Sequence, residues 1–106
     1  MPKYLFQASY TQAGLQGLLK EGGTSRRDNL NGVIEASGGK MEAFYYAFGE
    51  DDVFVIVDLP DDASASAIAL TVAASGAVSL KTTVLVTPET VDEAVKKAVS
   101  YRPPGG

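Results

Sequence analysis

The segment Val53-Phe54-Val55-Ile56-Val57 constrains the fold more than any other stretch of the chain. It is short, β-branched or aromatic at every position, and bounded by the acidic turn Gly49-Glu50-Asp51-Asp52 on one side and Leu59-Pro60 on the other, so it reads as a strand. Strand side chains point alternately to opposite faces, which puts Val53, Val55 and Val57 on one side and Phe54 and Ile56 on the other. Both faces are apolar, so the sheet containing this strand needs cover on both.

The flanking patterns say what kind of sheet this is. Tyr4, Phe6, Ala8 and Tyr10 alternate with Leu5, Gln7 and Ser9, giving a first strand from Lys3 to Tyr10. Thr11 is placed to cap a helix with Leu15, Leu18 and Leu19 on one side, which Gly22-Gly23 interrupts. Ser25 and Asp28 have capping-box spacing for a second helical piece carrying Leu30, Val33 and Ile34 up to Gly38-Gly39. Met41 to Phe48 pairs with Val53 to Asp58 as a hairpin. Asp61-Asp62 then caps an Ala- and Ser-rich helix over about Ala63 to Ser75. Val78 to Val86 is the fourth strand. Thr87-Pro88-Glu89 opens a last helix with Val91, Ala94, Val95, Ala98 and Val99 as its stripe. The order strand, helix, strand, strand, helix, strand is the split βαβ pattern of an α+β, ferredoxin-like fold: a four-stranded antiparallel sheet with helices on one face plus a C-terminal helix.

One such layer of helices covers one sheet face. The other is expected to be covered by a second copy of the chain stacking its own sheet there, or by the terminal helix within the monomer. With 106 residues the chain has room for one domain, taken as residues 1–100, with 101–106 as a flexible tail.

Composition removes much chemistry. There is no Cys and no His, which excludes disulfides, thiolate or imidazole metal sites, and every Ser-His or Cys-His nucleophile arrangement. Nine basic against thirteen acidic residues, scattered except at Arg26-Arg27 and Lys96-Lys97, give a net charge of -4, so nucleic acid is not an expected partner. No signal-like leader and no membrane-length apolar run is present, and a cytoplasmic protein is expected. Gly22-Gly23 and Gly38-Gly39 do not have phosphate-loop spacing. Glu50-Asp51-Asp52 and Asp61-Asp62 read as a hairpin turn and a helix cap, with no metal and no cofactor expected.

The stretch Pro2 to Ala94 resembles the bacterial GYD domain proteins, a family of dimeric α/β-barrel type. The resemblance is carried by the opening Met1-Pro2-Lys3-Tyr4-Leu5-Phe6-Gln7-Ala8-Ser9-Tyr10-Thr11, by Leu18-Leu19-Lys20-Glu21-Gly22-Gly23 with Arg26-Arg27, and by Glu42-Ala43-Phe44-Tyr45-Tyr46-Ala47-Phe48-Gly49. It continues through Asp52, Asp58-Leu59-Pro60-Asp61, Ala73-Ala74-Ser75-Gly76 and Lys81-Thr82-Thr83. The family implies the fold and a homodimer, and no particular activity. The chain departs from it at Gly49-Glu50-Asp51-Asp52, where the name-giving Tyr is missing, so no role for that Tyr transfers.

Candidate ligand-binding residues are Gln7, Ser9, Tyr10, Arg26, Tyr45, Lys81 and Thr83. Arg26 lies one turn before Leu30 on the apolar side of its helix. From there its guanidinium can hold a carboxylate or phosphate in a pocket, or form a structural ion pair with Asp52 or Asp58. Gln7, Ser9, Tyr45, Lys81 and Thr83 are polar positions on strands that alternation can gather on the face lining a dimer interior. There they would form a ligand site, an inter-subunit hydrogen-bond network, or, for Lys81, protection of an edge strand. A small-molecule-binding homo-oligomer is the reading preferred over an assembly module. A cofactor-independent enzyme using Lys81, Tyr10 or Tyr45 ranks third, on analogy of fold alone.

Overall fold

The computed structural model describes all residues, Met1 to Gly106. Its elements are β1 (Lys3–Tyr10), α1 (Gln12–Glu21), α2 (Gly23–Ala36), β2 (Lys40–Tyr46), β3 (Val53–Asp58), α3 (Asp62–Ala74), β4 (Val78–Leu85) and α4 (Pro88–Val95). The four strands form one antiparallel sheet in the order β2-β3-β1-β4. This is the expected ferredoxin-like α+β architecture, with the two-faced β3 and the N-terminal β1 in the centre.

The core follows from alternation. Tyr4, Phe6 and Ala8 of β1 and Val53, Val55 and Val57 of β3 are buried, and they meet Ile34 of α2, Ala65 and Ile68 of α3 and Leu59. On β2 the helix-facing residues Met41, Phe44 and Tyr46 break strict alternation. A bulge between Met41 and Ala43 absorbs the extra residue, so that Met41 and Phe44 land on the same face. Phe44 and Tyr46 then meet edge to face, 5.1 Å between ring centres.

Caps fix the helix starts. Thr11 accepts from the Gly14 amide, Asp61 from Ser64 and Thr87 from Thr90, as their sequence positions imply. The second helical piece differs from expectation. It begins at Gly23 with Gly22 as its cap, φ 86°, so Ser25 and Asp28 lie inside the helix rather than at its mouth. Gly22 can take this left-handed backbone because it has no β-carbon. The stripe expected on α1 is also not buried: Leu15 and Leu19 are exposed, and α1 turns its one buried residue, Gly14, toward the sheet.

The helices do not form a closed layer. α2 lies over β2 and α3 over β4, with α1 beside β1 and α2, and α2 and α3 do not pack closely against each other. The opposite face of the sheet carries no helix. In particular α4 does not cover it. Every residue from Val86 onward is exposed, and α4 makes no extensive packing contact with another element. Helix α4 ends at Val95, leaving Ala98 and Val99 of the expected stripe beyond it, and residues 98–106 carry neither helix nor strand. The molecule is elongated, 55 × 33 × 23 Å.

Candidate functional site

The gap between α2 and α3 is a cleft of about 410 Å³ whose floor is the helix-facing side of β1 and β3. Phe6, Val53 and Val55 supply the floor, Leu30 and Val33 one wall, and Ile68 and Val72 the other. The volume lies within the range of small-molecule sites, and the lining is apolar with a few polar groups, the composition such sites usually have.

Those polar groups collect where α1 meets α2. Arg26, Asn29, Leu30 and Val33 lie along one face of α2, so the guanidinium and the Asn29 amide share the cleft with the apolar wall below them. Arg26 is half-buried and pairs at 3.5 Å with Glu21, itself a cleft residue; its side chain is 39% exposed. The ion pairs considered for Arg26 with Asp52 and Asp58 are not formed. Asp58 is held by Lys3 at 2.9 Å, and Asp52 accepts the Tyr10 amide at 2.8 Å. A long, partly solvated pair such as Arg26–Glu21 is weak, which leaves the guanidinium free to exchange Glu21 for another anion.

Tyr10 brings its ring into the same cleft. Burial, together with the neighbouring Tyr46 hydroxyl, pushes its phenol from 10.0 up to about 12, against a smaller opposite effect of Arg26. At neutral pH Tyr10 is therefore a hydrogen-bonding phenol and a poor base. Tyr46 stands behind it and donates to the Gly23 carbonyl at 3.0 Å, tying β2 to the first turn of α2.

The other five candidates lie on the bare face. Gln7 pairs in register with Lys81 and with Phe54, Leu5 with Thr83, and Tyr45 with Phe54, so Gln7, Ser9, Tyr45, Lys81 and Thr83 all point away from the helices. The structure thus divides the seven candidates into two places. Tyr10 and Arg26 share the cleft; the rest share the opposite face of the sheet.

On that face Asp51 gathers three of them. It accepts from Ser9 at 2.9 Å and from Gln7 at 3.5 Å, and it faces the Lys81 ammonium at 3.6 Å. Tyr45 and Thr83 are exposed and stand outside this network. At the opposite end of the face Lys3 bridges Glu42 at 3.0 Å and Asp58 at 2.9 Å. These two carboxylates, Asp58 foremost, raise the Lys3 pKa. Between the two ionic clusters lie Leu5, Phe54 and Ile56, giving an apolar centre with a polar rim, the usual anatomy of a protein interface.

Sequence reasoning missed Asn29, Glu21 and Asp51. The signal for Asn29 was available, since it stands one turn from Arg26 on the same apolar helix face. Asp51 reads in the sequence as a turn residue, and only the hairpin's curl back over β1 makes it the centre of a network.

A second raised phenol gives a pH-dependent test of the fold. Tyr4 donates to the Asp62 carboxylate and is buried, and the two together move it to about 12. A tyrosine whose folded pKa is raised above its unfolded value contributes stability that is complete below about pH 10 and lost as the pH rises through about 12. Ultraviolet titration of the five tyrosines is expected to show a late phenolate step near pH 12, with Tm falling from about pH 10 upward. The step should shrink in Tyr4→Phe and again in Tyr4→Phe/Tyr10→Phe; a single step at the ordinary phenol value would contradict both assignments.

No group of three or more acidic side chains is placed to hold a metal ion, and no helix is long and apolar enough to cross a membrane. The sequence model of a protein family described as GYD domain matches residues 4–95. No curated protein and no solved structure matches the chain.

Proposed function

The chain belongs to the GYD domain family, and on that footing we propose that it is a homo-oligomeric protein that binds a small apolar carboxylic acid in the cleft between sheet and helices. One observation carries this reading: an apolar cleft of about 410 Å³ has a weakly committed guanidinium, Arg26, at its edge. The hydrocarbon part of the ligand would lie on Phe6, Val55, Leu30 and Val72, and its carboxylate would displace Glu21 from Arg26. Tyr10 and Asn29 line the same cleft and carry donors that would supply further hydrogen bonds. The uncharged Tyr10 phenol favours such a donor role, because it holds its proton until about pH 12.

The oligomeric half of the reading is supported by the bare sheet face. Gln7, Ser9, Tyr45, Lys81 and Thr83 would there serve subunit contact or line a second, inter-subunit cavity. A cytoplasmic location accords with the composition and belongs to the same proposal.

Thermal unfolding with decanoate and with 3-phenylpropanoate tests the ligand. A saturable rise in Tm is expected in the wild-type chain, with a loss of affinity of about tenfold or more in Arg26→Met, the worth of a charge-assisted hydrogen bond. Native mass spectrometry of gently purified protein should show a co-purifying small acid. If neither probe binds and no extra mass is carried, the cleft is not a carboxylate site.

A further inference from the structure

Helix α4 is well capped, amphipathic and without a partner. Thr87 caps it, Pro88 occupies its first turn, and Val91 and Val95 lie one turn apart with Ala94 between them, yet Val91 is 50% and Val95 76% exposed. A helix of eight residues is too short to hold in water on propensity alone, since isolated helices below about 12 residues are marginal. Such a helix needs a surface to lie on, and its own body does not provide one.

The surface of the whole chain points the same way. A folded monomer of 11.1 kDa ordinarily exposes about 5,700 Å², whereas this chain exposes 7272 Å². Its radius of gyration is 16.9 Å, against about 13 Å for a compact domain of this length. The excess is about 1,600 Å² per copy, and the segment from Val86 onward, exposed at every residue, contributes to it. Two copies together would have about 3,200 Å² to bury, within the range of obligate homodimers and above what a transient contact needs.

We propose that α4 is an exchanged arm, each copy packing its Val91–Val95 stripe against the body of a second copy rather than its own. The inference rests on the oligomeric half of the reading above and adds to it the element that clasps the pair. The bare sheet face with Leu5, Phe54 and Ile56 at its centre supplies the contact between bodies. The arm then lies on the partner beside that contact, and the short connector Val86-Thr87 leads the chain out of its own domain.

Crosslinking of mixed isotopes tests the exchange directly in the full chain. Lys96 and Lys97 follow α4, and the remaining lysines, Lys3, Lys20, Lys40 and Lys81, all lie in the body. Unlabelled and heavy-isotope-labelled protein are allowed to exchange subunits, then treated with a lysine-reactive crosslinker. Links from Lys96 or Lys97 to body lysines are expected to join light to heavy chains. Val91→Asp/Val95→Asp is expected to weaken association by about 100-fold, the equivalent of two buried valines, with the circular dichroism of the body kept and at most the small contribution of α4 lost, because neither residue packs in the body.

Arm-to-body links confined to chains of one isotope within an intact oligomer would show α4 folding back on itself, and would overturn the exchange while leaving the oligomer standing. Undiminished association of the double variant would do the same. A wild-type chain that is monomeric at micromolar concentration would remove the oligomer and the arm together. None of these results bears on decanoate binding in the cleft.

Discussion

Gly14→Ala is expected to cost about 3 kcal/mol of stability or more, as overpacking against rigid backbone does. A β-carbon at Gly14 would overlap the carbonyl oxygen of Ala77 and press on the Tyr10 ring. That carbonyl is fixed, because it accepts the Thr11 amide at 2.9 Å and the Thr11 hydroxyl at 3.2 Å. Neither side can retreat without opening the junction between the start of α1 and the start of β4. Gly17 lies one turn further along the same helix and has open space where its β-carbon would stand. Gly17→Ala should therefore stabilise by about 0.5–1 kcal/mol, through helix propensity. Urea denaturation of the two variants checks the pair, and the opposite signs separate close packing from the general behaviour of glycine in helices.

Ile34→Ala is expected to destabilise by about 3 kcal/mol. Ile34 is the only residue of α2 that is fully buried, and it is one of only ten in the hydrophobic core. The lost methyl and methylene groups cannot be replaced by collapse of neighbours. On one side Gly39 is set so closely against Asp58, Leu59 and Ile34 that not even a β-carbon would fit there, and on the other the helix layer is open. Val33→Ala, at a site 41% exposed, should cost less than about 1 kcal/mol, since little of its side chain leaves water on folding. Chemical denaturation measures both, and native-state hydrogen exchange should show the protection of α2 falling first in Ile34→Ala.

The sheet was legible in the sequence because its signal is local and repetitive. Alternation in β1 and β3 separated Tyr4 and Phe6 from Gln7 and Ser9, and Val53 and Val55 from Phe54 and Ile56, and alternation in β4 let Lys81 and Thr83 join Gln7 and Ser9; which of the two faces the helices bury is set by packing between elements and not by the period. The β2 bulge was not legible, because Met41, Phe44 and Tyr46 fit neither period alone. Helix α1 misled for a related reason. Its leucines suggest a buried stripe, but contact with the sheet is made by Gly14, whose value lies in what it lacks. The candidate site was legible only in part. Arg26 and Tyr10 could each be singled out by type and position, yet their meeting depends on α2 and α3 standing apart, a distance between elements that no periodicity records. Helix α4 was foreseen from its caps and stripe, while its separation from the body was not, since a stripe announces a need for contact without saying with what.

The central position of β1 also sets an order of events in synthesis. Its Lys3 pairs with Asp58 on one side and with Leu85 on the other. The first strand of this sheet to be synthesised is thus the one whose hydrogen bonds are completed last. The β2–β3 hairpin closes over a short turn and can form early, whereas β1 must wait for β3 and then for β4, closing long loops with little local reward. During that interval Tyr4, Phe6 and the valines of β3 lack part of their cover, so folding during translation is the stage at which this chain is most exposed to aggregation.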